Sequence, residues 1–279
     1  ICMKQLYYLF RVNHYIKNLL VFTPLLFTSG LSDLSKLVLS FKAFIIFSLI
    51  ASVVYVINDL FDIKFDKKHP QKRKLKPLAS GKISISFAYF SIAILSIISI
   101  FILLNNKNLI NVFLIYIIMN VFYSFFLKFI PILDIFILSF NYILRVYAGS
   151  VIIDVPLSNW MGITIFAGAI FISALKRRQE IIIHGTSSRP VLKKYSINYL
   201  NKIADYSAIL SIVFYCLYVI SVNEKLVITI PLVLFGILRY SYLSESKNFS
   251  DSPIDEIIKD KQNLILVIIW LILILLFNS

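Results

Sequence analysis

Charged residues are scarce in this chain of 279 residues, and that scarcity excludes an ordinary soluble domain. Only 15% of the residues are Asp, Glu, Lys or Arg, whereas 59% are hydrophobic and the mean hydropathy is +0.86. Soluble globular domains carry about 25% charged residues. A surface this apolar needs lipid as its solvent, so the sequence predicts an integral membrane protein.

Glycine, cysteine and histidine are also few, which excludes several kinds of site. Seven glycines leave little room for a Walker loop or a Gly-rich dinucleotide turn. Cys2 and Cys216 are far apart in the chain and indicate no disulfide framework. The three histidines are scattered, form no ligand set with cysteine, and belong to no Ser-His-Asp pattern.

Long apolar runs are what the sequence has in abundance. A membrane-spanning helix needs about 20 mostly apolar residues, and seven runs approach that length, with a shorter one at each end. The runs are apolar on all sides rather than alternating, which argues against a strand barrel. We therefore expect a single all-α domain over residues 1–279, a bundle of nine transmembrane helices. The predicted spans are Leu19–Leu31, Leu37–Ile57, Ile83–Leu104, Leu109–Leu127, Ile130–Ile153, Pro156–Leu175, Ile203–Ser221, Leu226–Leu243 and Leu264–Phe277.

The net charge of +14 is read here as a topology signal. On a soluble protein such basicity would suggest nucleic acid. With nine spans and the N-terminus inside, most of the 28 Lys and Arg residues lie in inside segments, and only Lys36, Lys42, Lys107 and Lys225 lie outside. The positive-inside rule then predicts a cytoplasmic N-terminus, cytoplasmic loops near residues 59–82, 176–202 and 244–261, and no nucleic-acid partner.

Acidic residues follow the second apolar run in a helical pattern. Asn58, Asp59, Asp62 and Asp66 share an arc of about a quarter turn at 100° per residue. Like charges stacked in this way repel, unless a cation lies between them. Carboxylates on one helix face at a membrane boundary suit Mg²⁺ with a diphosphate as its other ligand. The alternative is a solvated helix end whose acids balance the cations that follow.

A second polar stripe lies on the predicted span Ile130–Ile153. Asp134, Asn141 and Arg145 are separated by seven and four residues, so they share one helix face. Charges within the bilayer are costly, so these side chains should face the bundle interior. Arg145 is either functional or a structural link between helices, and the pattern leaves both open.

Residues 58–66, Asn-Asp-Leu-Phe-Asp-Ile-Lys-Phe-Asp, resemble the first aspartate-rich motif of the UbiA superfamily of intramembrane prenyltransferases. The resemblance implies nine helices around a central cavity that opens to the cytoplasm. It also implies that Asn58, Asp59, Asp62 and Asp66 form the catalytic motif, in which the three aspartates bind Mg²⁺ and a diphosphate.

Residues 69–81 resemble the corresponding loop of one branch, the decaprenyl-phosphate phosphoribosyltransferases, which typically reads His-Pro-x-Lys-Arg-x-Arg-Pro-Ile-Ala-x-Gly. Lys76 stands where that branch usually has Arg, which replaces a bidentate phosphate contact by a point charge. Residues 14–22 are similar to the N-terminal Gln-Trp-x-Lys-Asn motif of the branch, with His14-Tyr15 in place of Gln-Trp. Further agreement lies at Tyr123-Ser124, Leu127-Lys128, Pro131, Asp134, Arg145, Ala148-Gly149, residues 156–160, 176–180, 239–242, 252–256 and Asp260.

The resemblance implies transfer of a 5-phosphoribosyl group from phosphoribosyl diphosphate to a polyprenyl phosphate, with Mg²⁺ as cofactor. The residues it suggests for substrate binding are Lys17, Lys72, Arg73, Lys76, Tyr123, Lys128, Asp134, Arg145, Lys176, Arg177 and Glu180. The expected surroundings are the lipid bilayer of the cell membrane. A homo-oligomer is compatible with the sequence.

Two other functions are alternatives to this reaction. The first is a prenyltransferase that moves a prenyl group from a prenyl diphosphate to an aromatic acceptor. Ordinary UbiA prenyltransferases have a second aspartate-rich motif after the sixth helix, but residues 176–202 contain a single carboxylate before Lys202, that of Glu180. The second is a transporter, whose charges should concentrate at the midplane, whereas these acids collect at one membrane boundary.

The predicted topology can be tested by labelling. In a background without Cys2 and Cys216, a cysteine introduced in the stretch 71–76 should react only with reagent on the cytoplasmic side, and one at Asn106 only with reagent outside. Labelling of intact cells and of inverted vesicles with a membrane-impermeant maleimide measures this. The reverse pattern would contradict the predicted orientation.

Overall fold

The computed structural model describes residues 3–28, 33–68, 73, 75–186, 189–245 and 259–278, and most of these residues are helical, with no strand among them. This confirms the predicted all-α class. The α-helices, numbered here in chain order, are α1 (Met3–Leu9), α2 (Thr23–Leu26), α3 (Leu34–Lys68), α4 (Ile85–Leu104), α5 (Ile110–Phe125), α6 (Leu133–Ile152), α7 (Asn159–His184), α8 (Ile197–Val222), α9 (Ile230–Ser244) and α10 (Lys261–Asn278). Shorter 3-10 helices, of which Val12–Phe22 is the longest described, lie between some of them.

Eight helical segments of the described chain are long and apolar enough to cross a membrane, so this is a multi-pass membrane protein. The first predicted span, Leu19–Leu31, falls instead on the end of the 3-10 helix Val12–Phe22 and on the short α2. Residues 29–32 lie outside the described part, and the count of nine spans stays a prediction.

Two helices extend well past their apolar runs. α3 has 35 residues, which corresponds to about 50 Å, whereas the hydrocarbon core of a bilayer is about 30 Å thick. Its C-terminal part therefore carries the aspartates beyond the apolar run, as the helical pattern predicted. α7 continues to His184, so the stretch 176–202 predicted as a loop is helical at both ends, and only residues 185–196 connect α7 to α8.

The chain forms two compact units. The first comprises Ile1–Leu25, Leu34–Phe125 and Leu144–Val155. Its larger apolar core joins α3 and α5, where the ring centroid of Phe47 lies 5.2 Å from that of Phe113 and 4.8 Å from that of Tyr116. Large apolar side chains on α4, such as Ile97 and Phe101, are exposed, as expected for a helix that faces lipid.

A smaller apolar cluster in the same unit positions the polar end of α3. It consists of the buried residues Leu9, Val56, Leu78, Ile83 and Ala88. These residues come from α1, α3, the turn before α4, and α4 itself. The cluster therefore brings the end of α1 and the turn at residues 76–83 against α3, directly beside the aspartates.

The second unit comprises Leu26–Asp33, Phe126–Ile143 and Pro156–Ser279. Its core is built mainly on the α7–α8 pair, with Phe171 of α7 and Leu200 of α8 buried in it. Val191 and Leu192, from the connection between these helices, are buried in the same core. The connection is thus anchored to the helices rather than exposed along its whole length.

Gly149 of α6 is a position where any side chain would clash. A Cβ there would overlap the carbonyl oxygen of Val21. We expect Gly149→Ala to destabilise the protein by about 1–3 kcal/mol, because overpacking forces the backbone apart. Gly162→Ala in α7 is the control, since its nearest neighbour would be Leu157 Cδ2 at 3.8 Å. In detergent, the melting temperature should fall for Gly149→Ala and stay level or rise slightly for Gly162→Ala; equal melting temperatures would contradict the packing described.

Candidate active site

Two buried carboxylates distinguish the C-terminal part of α3. Asp59 and Asp66 are buried, whereas Asn58 and Asp62 are partly exposed. Burial of an ionised carboxylate is costly unless opposite charges or hydrogen-bond donors compensate it. The contacts of these two side chains therefore define the electrostatics of the site.

Two cations from other parts of the first unit contact these carboxylates. Arg11 Nη2 lies 2.6 Å from Asp59 Oδ1. Lys76 Nζ lies 2.9 Å from Asp59 Oδ1 and 2.6 Å from Asp66 Oδ2, so one ammonium group bridges both acids. Two of the acids predicted to share a helix face, Asp59 and Asp66, therefore lie close enough for one cation to contact both.

Arg11 reaches Asp59 through an unusual backbone conformation. Arg11 has φ 50° and ψ 49°, in the left-handed region, between α1 and the 3-10 helix that follows. Non-glycine residues rarely adopt this conformation, and it occurs where the surrounding structure enforces it. Here the buried Leu9 fixes the end of α1, and the guanidinium lies 4.8 Å from the ring centroid of Tyr55.

Lys76 is placed by a tight turn. The backbone N–H of Ser80 donates to the carbonyl of Lys76 at 3.0 Å, and that of Ile83 donates to the carbonyl of Pro77 at 3.2 Å. Gly81, at φ 73°, supplies the left-handed residue of the turn. Burial of Leu78 holds this turn against α3, so the ammonium of Lys76 falls beside the carboxylates.

The amide that opens the motif links α3 to α5. Ser124 Oγ donates to Asn58 Oδ1 at 3.0 Å, and Asn58 Nδ2 donates to Asp62 Oδ2 at 3.3 Å. Ser124 belongs to the Tyr123-Ser124 pair noted in the sequence. Asn58 thereby orients Asp62, and the orientation depends on α5.

The donor set suits a hard divalent cation. Carboxylate oxygens are the ligands that Mg²⁺ prefers, usually one or two carboxylates together with water and substrate phosphates. Among the described residues, no three His, Cys, Asp or Glu side chains converge as a complete metal site. Asp59 and Asp66 nevertheless share one cation, the Lys76 ammonium, so a metal ion would fit there if phosphate or water completed its ligands.

A second buried polar network lies in the second unit. Arg177 of α7 donates through Nε to Asp134 Oδ2 at 2.8 Å and through Nη1 to Glu180 Oε2 at 3.0 Å. Arg189 Nε lies 3.2 Å from the same Glu180 oxygen. The only acid in residues 176–202 is thus engaged by two arginines.

Tyr195 completes this network from the connection between α7 and α8. Its hydroxyl donates to Asp134 Oδ1 and accepts from the backbone N–H of Ile132, both at 2.6 Å. Burial raises the pKa of Tyr195, and the hydrogen bond to Asp134 raises it further, so the hydroxyl stays protonated and donates. Ile132 itself has φ 70°, a costly conformation for a β-branched residue, which the Tyr195 contact helps to hold.

Arg178, next to Arg177, connects α7 to α9. Its Nη2 donates to the carbonyl of Ser244 at 2.6 Å and its Nη1 donates to Asn201 Oδ1 at 3.0 Å. A cation at the C-terminus of a helix is favourable because the last carbonyls carry partial negative charge. Arg178 therefore has a structural contact at the end of α9.

Asp134 and Arg145 were predicted as members of one stripe, but each has its own partners. Arg145 Nε donates to Asn18 Oδ1 at 2.8 Å, and its guanidinium lies 5.0 Å from the ring centroid of Phe47. Asn141 Nδ2 donates to the carbonyl of Ile137 within its own helix. The contacts of Arg145 favour the structural reading, a link between α6, α3 and the N-terminal segment.

The remaining predicted residues are spread over both units. Lys17, Tyr123, Lys128 and Lys176 are partly exposed and Arg73 is exposed. Lys128 Nζ lies 5.3 Å from the ring centroid of Phe129. Lys72 lies outside the described residues, and its phosphate-binding role stays a prediction.

Sequence reasoning missed Arg11, Tyr195 and Arg189 as members of these networks. Arg11 and Arg189 read only as topology charges, and Tyr195 carried no signal in its loop. One available signal for Arg11 was its place three residues before the His14–Phe22 motif. None of the three contacts follows from helical spacing, because Arg11 and Tyr195 contact residues 48 and 61 positions away and Arg189 contacts Glu180 from beyond the end of α7.

The comparison with protein families agrees with this architecture. Residues 19–253 match the model of the UbiA prenyltransferase family. The chain belongs to this family, and the predicted resemblance is confirmed.

Similar proteins extend the match to nearly the whole chain. The chain is 31% identical to the decaprenyl-phosphate phosphoribosyltransferase of Mycolicibacterium smegmatis, over 94% of this chain and 88% of that protein. It is 30% identical to the protein of the same name from Mycobacterium tuberculosis, over 94% of this chain and 90% of that protein. These relatives carry the name of the branch that residues 69–81 suggested.

Solved structures share the fold. A UbiA homolog from Archaeoglobus fulgidus bound to GPP and Mg²⁺ has a TM-score of 0.71, with 18% identity, over 98% of this chain and 97% of that chain. The same homolog bound to Cd²⁺ has a TM-score of 0.72, with 16% identity, over 98% of both chains. At these identities the likeness establishes the fold alone.

The buried network around Arg177 should contribute to the free energy of unfolding. Arg177→Met should destabilise the protein by about 3–5 kcal/mol, because it removes the one arginine that contacts both buried acids, Asp134 and Glu180. Arg239→Met is the control, since the Arg239–Asp260 pair is more exposed and its loss should cost less than about 1 kcal/mol. Thermal unfolding in detergent provides the comparison. In a double-mutant cycle, Asp134→Asn with Arg177→Met should lose less stability than the two single variants combined; additive losses would contradict the coupling.

Proposed function

We propose that this chain transfers a 5-phosphoribosyl group from phosphoribosyl diphosphate to a polyprenyl phosphate and releases diphosphate. The observation that carries the proposal is the 30–31% identity to decaprenyl-phosphate phosphoribosyltransferases over 94% of the chain. The acidic end of α3, with cations beside it, supplies a site of the right chemistry. The proposal extends to the residue roles that follow.

The donor's diphosphate would bind at the acidic end of α3. Asp59 and Asp66, which share the Lys76 ammonium, would hold Mg²⁺ together with phosphate oxygens, and Asp62 would be the third carboxylate of the motif. The chemistry supplied by bound Mg²⁺ is neutralisation of the charge that develops on the departing diphosphate. Asn58 would keep Asp62 oriented, because it donates to that carboxylate and is itself held by Ser124.

The cations near α3 would hold the donor's phosphates. Lys76 is already at the carboxylates, and Arg73 is exposed three residues before it. Lys72 and Lys17 are the other candidates from the sequence motifs. Hydrogen bonds between such cations and phosphate oxygens are shorter and stronger than neutral ones, so they can fix the position of the 5-phosphate.

The reaction needs no strong base. An oxygen of the lipid phosphate attacks the anomeric carbon of the ribosyl group, the new C–O bond forms, and the bond from that carbon to the diphosphate oxygen breaks. The nucleophile is already anionic, so no proton has to be removed from it. This agrees with a motif set that contains no catalytic His or Ser.

The acceptor would approach from the bilayer. We assign Lys128, in the short connection from α5 to α6, to the lipid phosphate. Substrate contact by Tyr123, Asp134, Arg145, Lys176, Arg177 and Glu180 stays a prediction. The described contacts give Arg177, Asp134 and Glu180 a supporting role for the connection between α7 and α8.

The network around Glu180 favours a sugar donor over a prenyl donor. A second metal site for a prenyl diphosphate would need carboxylates available to the metal near the C-terminal end of α7. The one acid there, Glu180, is bound by Arg177 and Arg189. The donor site is proposed to face the cytoplasm, where the positive-inside rule places residues 59–82.

The proposed roles predict the effect of neutral aspartate analogues. Asp59→Asn and Asp62→Asn should each reduce transfer at least about 100-fold, because they remove a metal-binding charge with little change in volume. Asp205→Asn, an exposed aspartate of α8, is the matched control and should keep full activity. The measurement is the initial rate with labelled phosphoribosyl diphosphate and polyprenyl phosphate in detergent with Mg²⁺. Full activity of either α3 variant would contradict the metal assignment.

Donor identity is tested separately by offering both donors to the purified protein. The proposal expects turnover with phosphoribosyl diphosphate and none with a prenyl diphosphate plus an aromatic acid. The opposite result would leave the family assignment intact and overturn the proposed reaction.

A further inference from the structure

Lys76 occupies the position in which a metal ion would contact Asp59 and Asp66. Its ammonium bridges Asp59 Oδ1 and Asp66 Oδ2 at 2.9 and 2.6 Å, and Arg11 adds a second cation 2.6 Å from the same Asp59 oxygen. Both carboxylates are buried. Two negative side chains thus face two positive ones. The negative charge of the two carboxylates is therefore balanced by cations of the same chain.

A divalent cation that enters alone would upset this balance. Two more positive charges beside Arg11 and Lys76 would leave excess charge in a buried place, which is unfavourable. A cation that enters with diphosphate brings anionic oxygens, which ammonium and guanidinium groups bind well. The charges therefore favour binding of the two ligands together over binding of the metal alone.

The two cations differ in their freedom to exchange partners. The two side chains are about equally exposed, at 22% for Lys76 and 23% for Arg11, so exposure does not separate them. Lys76 has a flexible four-carbon stem, while its backbone is held by the turn at residues 76–83. Arg11 has a left-handed backbone and lies over the Tyr55 ring. Lys76 is therefore the group that can leave the carboxylates without refolding the backbone, while Arg11 stays with Asp59.

We propose that Lys76 is an internal counter-ion, displaced when metal enters, whose ammonium then takes phosphate oxygens of the donor as its partners. Metal and diphosphate consequently bind cooperatively at this site. The inference rests on the proposed function in one respect: it takes the acidic end of α3 to bind both ligands. By linkage, diphosphate must tighten metal binding by the same factor as metal tightens diphosphate binding.

The test measures binding without turnover. Mn²⁺, detected by the EPR signal of the free ion, is titrated into the purified full chain in detergent, with and without inorganic diphosphate. Formation of the Mn²⁺–diphosphate complex is measured in protein-free blanks and included in the fit. In the wild-type protein, diphosphate should tighten Mn²⁺ binding by about tenfold or more. A wild-type affinity for Mn²⁺ that diphosphate leaves unchanged would overturn the proposal without any variant.

Substitutions then assign the coupling to Lys76. Lys76→Met keeps the length and removes the charge, so Mn²⁺ alone should bind about tenfold or more tighter and the effect of diphosphate should shrink. Lys76→Arg keeps the charge and should retain both the weak binding of Mn²⁺ alone and the coupling. Lys82→Met, at an exposed lysine of the same turn, makes the same change in net charge and should behave as wild type. Equal tightening in Lys82→Met would show a general charge effect and overturn the assignment to Lys76.

Asp59→Asn separates this inference from the proposed function. If Asp59→Asn abolishes Mn²⁺ binding but Lys76→Met does not tighten it, the metal assignment holds and the counter-ion role of Lys76 is overturned. If Asp59→Asn leaves Mn²⁺ binding intact, the ion binds elsewhere, and both the metal assignment and the counter-ion role fail. Loss of Mn²⁺ binding in Asp59→Asn with tightening in Lys76→Met supports the inference, whichever donor the enzyme uses.

Discussion

The contact of Asp59 and Asp66 with Lys76 and Arg11 is the interaction on which the candidate active site depends. A helix that leaves an apolar run can carry buried carboxylates only if other segments bring cations to them. Here the cations come from the end of α1 and from the turn before α4. The packing of Leu9, Val56 and Leu78 brings those two segments to α3. It therefore places the cations beside the carboxylates as well as burying apolar surface.

The second unit also buries carboxylates, but there the partners are arginines and a tyrosine. Arginine forks and a tyrosine hydroxyl enclose Asp134 and Glu180, so every carboxylate of that network has fixed partners. Guanidinium groups suit this role because their planar donors match carboxylate geometry. The cation that bridges the aspartates of α3 is instead a lysine, Lys76 of the turn before α4, whose flexible stem allows exchange. The contrast assigns a rigid, supporting network to α7 and an exchangeable one to α3.

Membrane solvation explains why these polar groups are so strongly organised. Apolar side chains cover the helices, as the exposed Ile97 and Phe101 of α4 show, and lipid offers no hydrogen bonds. Charged groups close to the spans must then find partners within the protein. Arg145 donates to Asn18 and lies over the rings of Phe47 and Tyr116. These contacts make Arg145, which was predicted as a site residue, a structural link between α6, α3, α5 and the N-terminal segment.

The sequence by itself determined the all-α membrane class, the approximate spans, the family, and the shared helix face of Asp59, Asp62 and Asp66. The class, the spans and the shared face rest on composition and on the 3.6-residue period of a helix, both of which are local. The family rests on the resemblance of residues 58–66 and 69–81 to known motifs. Only the tertiary structure decided which charge meets which: that Lys76 bridges Asp59 and Asp66, that Arg11 joins them, and that Tyr195 and Arg177 hold Asp134. It also decided that α7 continues to His184, since burial of Arg177 and Glu180 keeps a polar stretch helical. These contacts join residues 10 to 61 positions apart, and such pairings depend on how helices and turns pack rather than on local spacing.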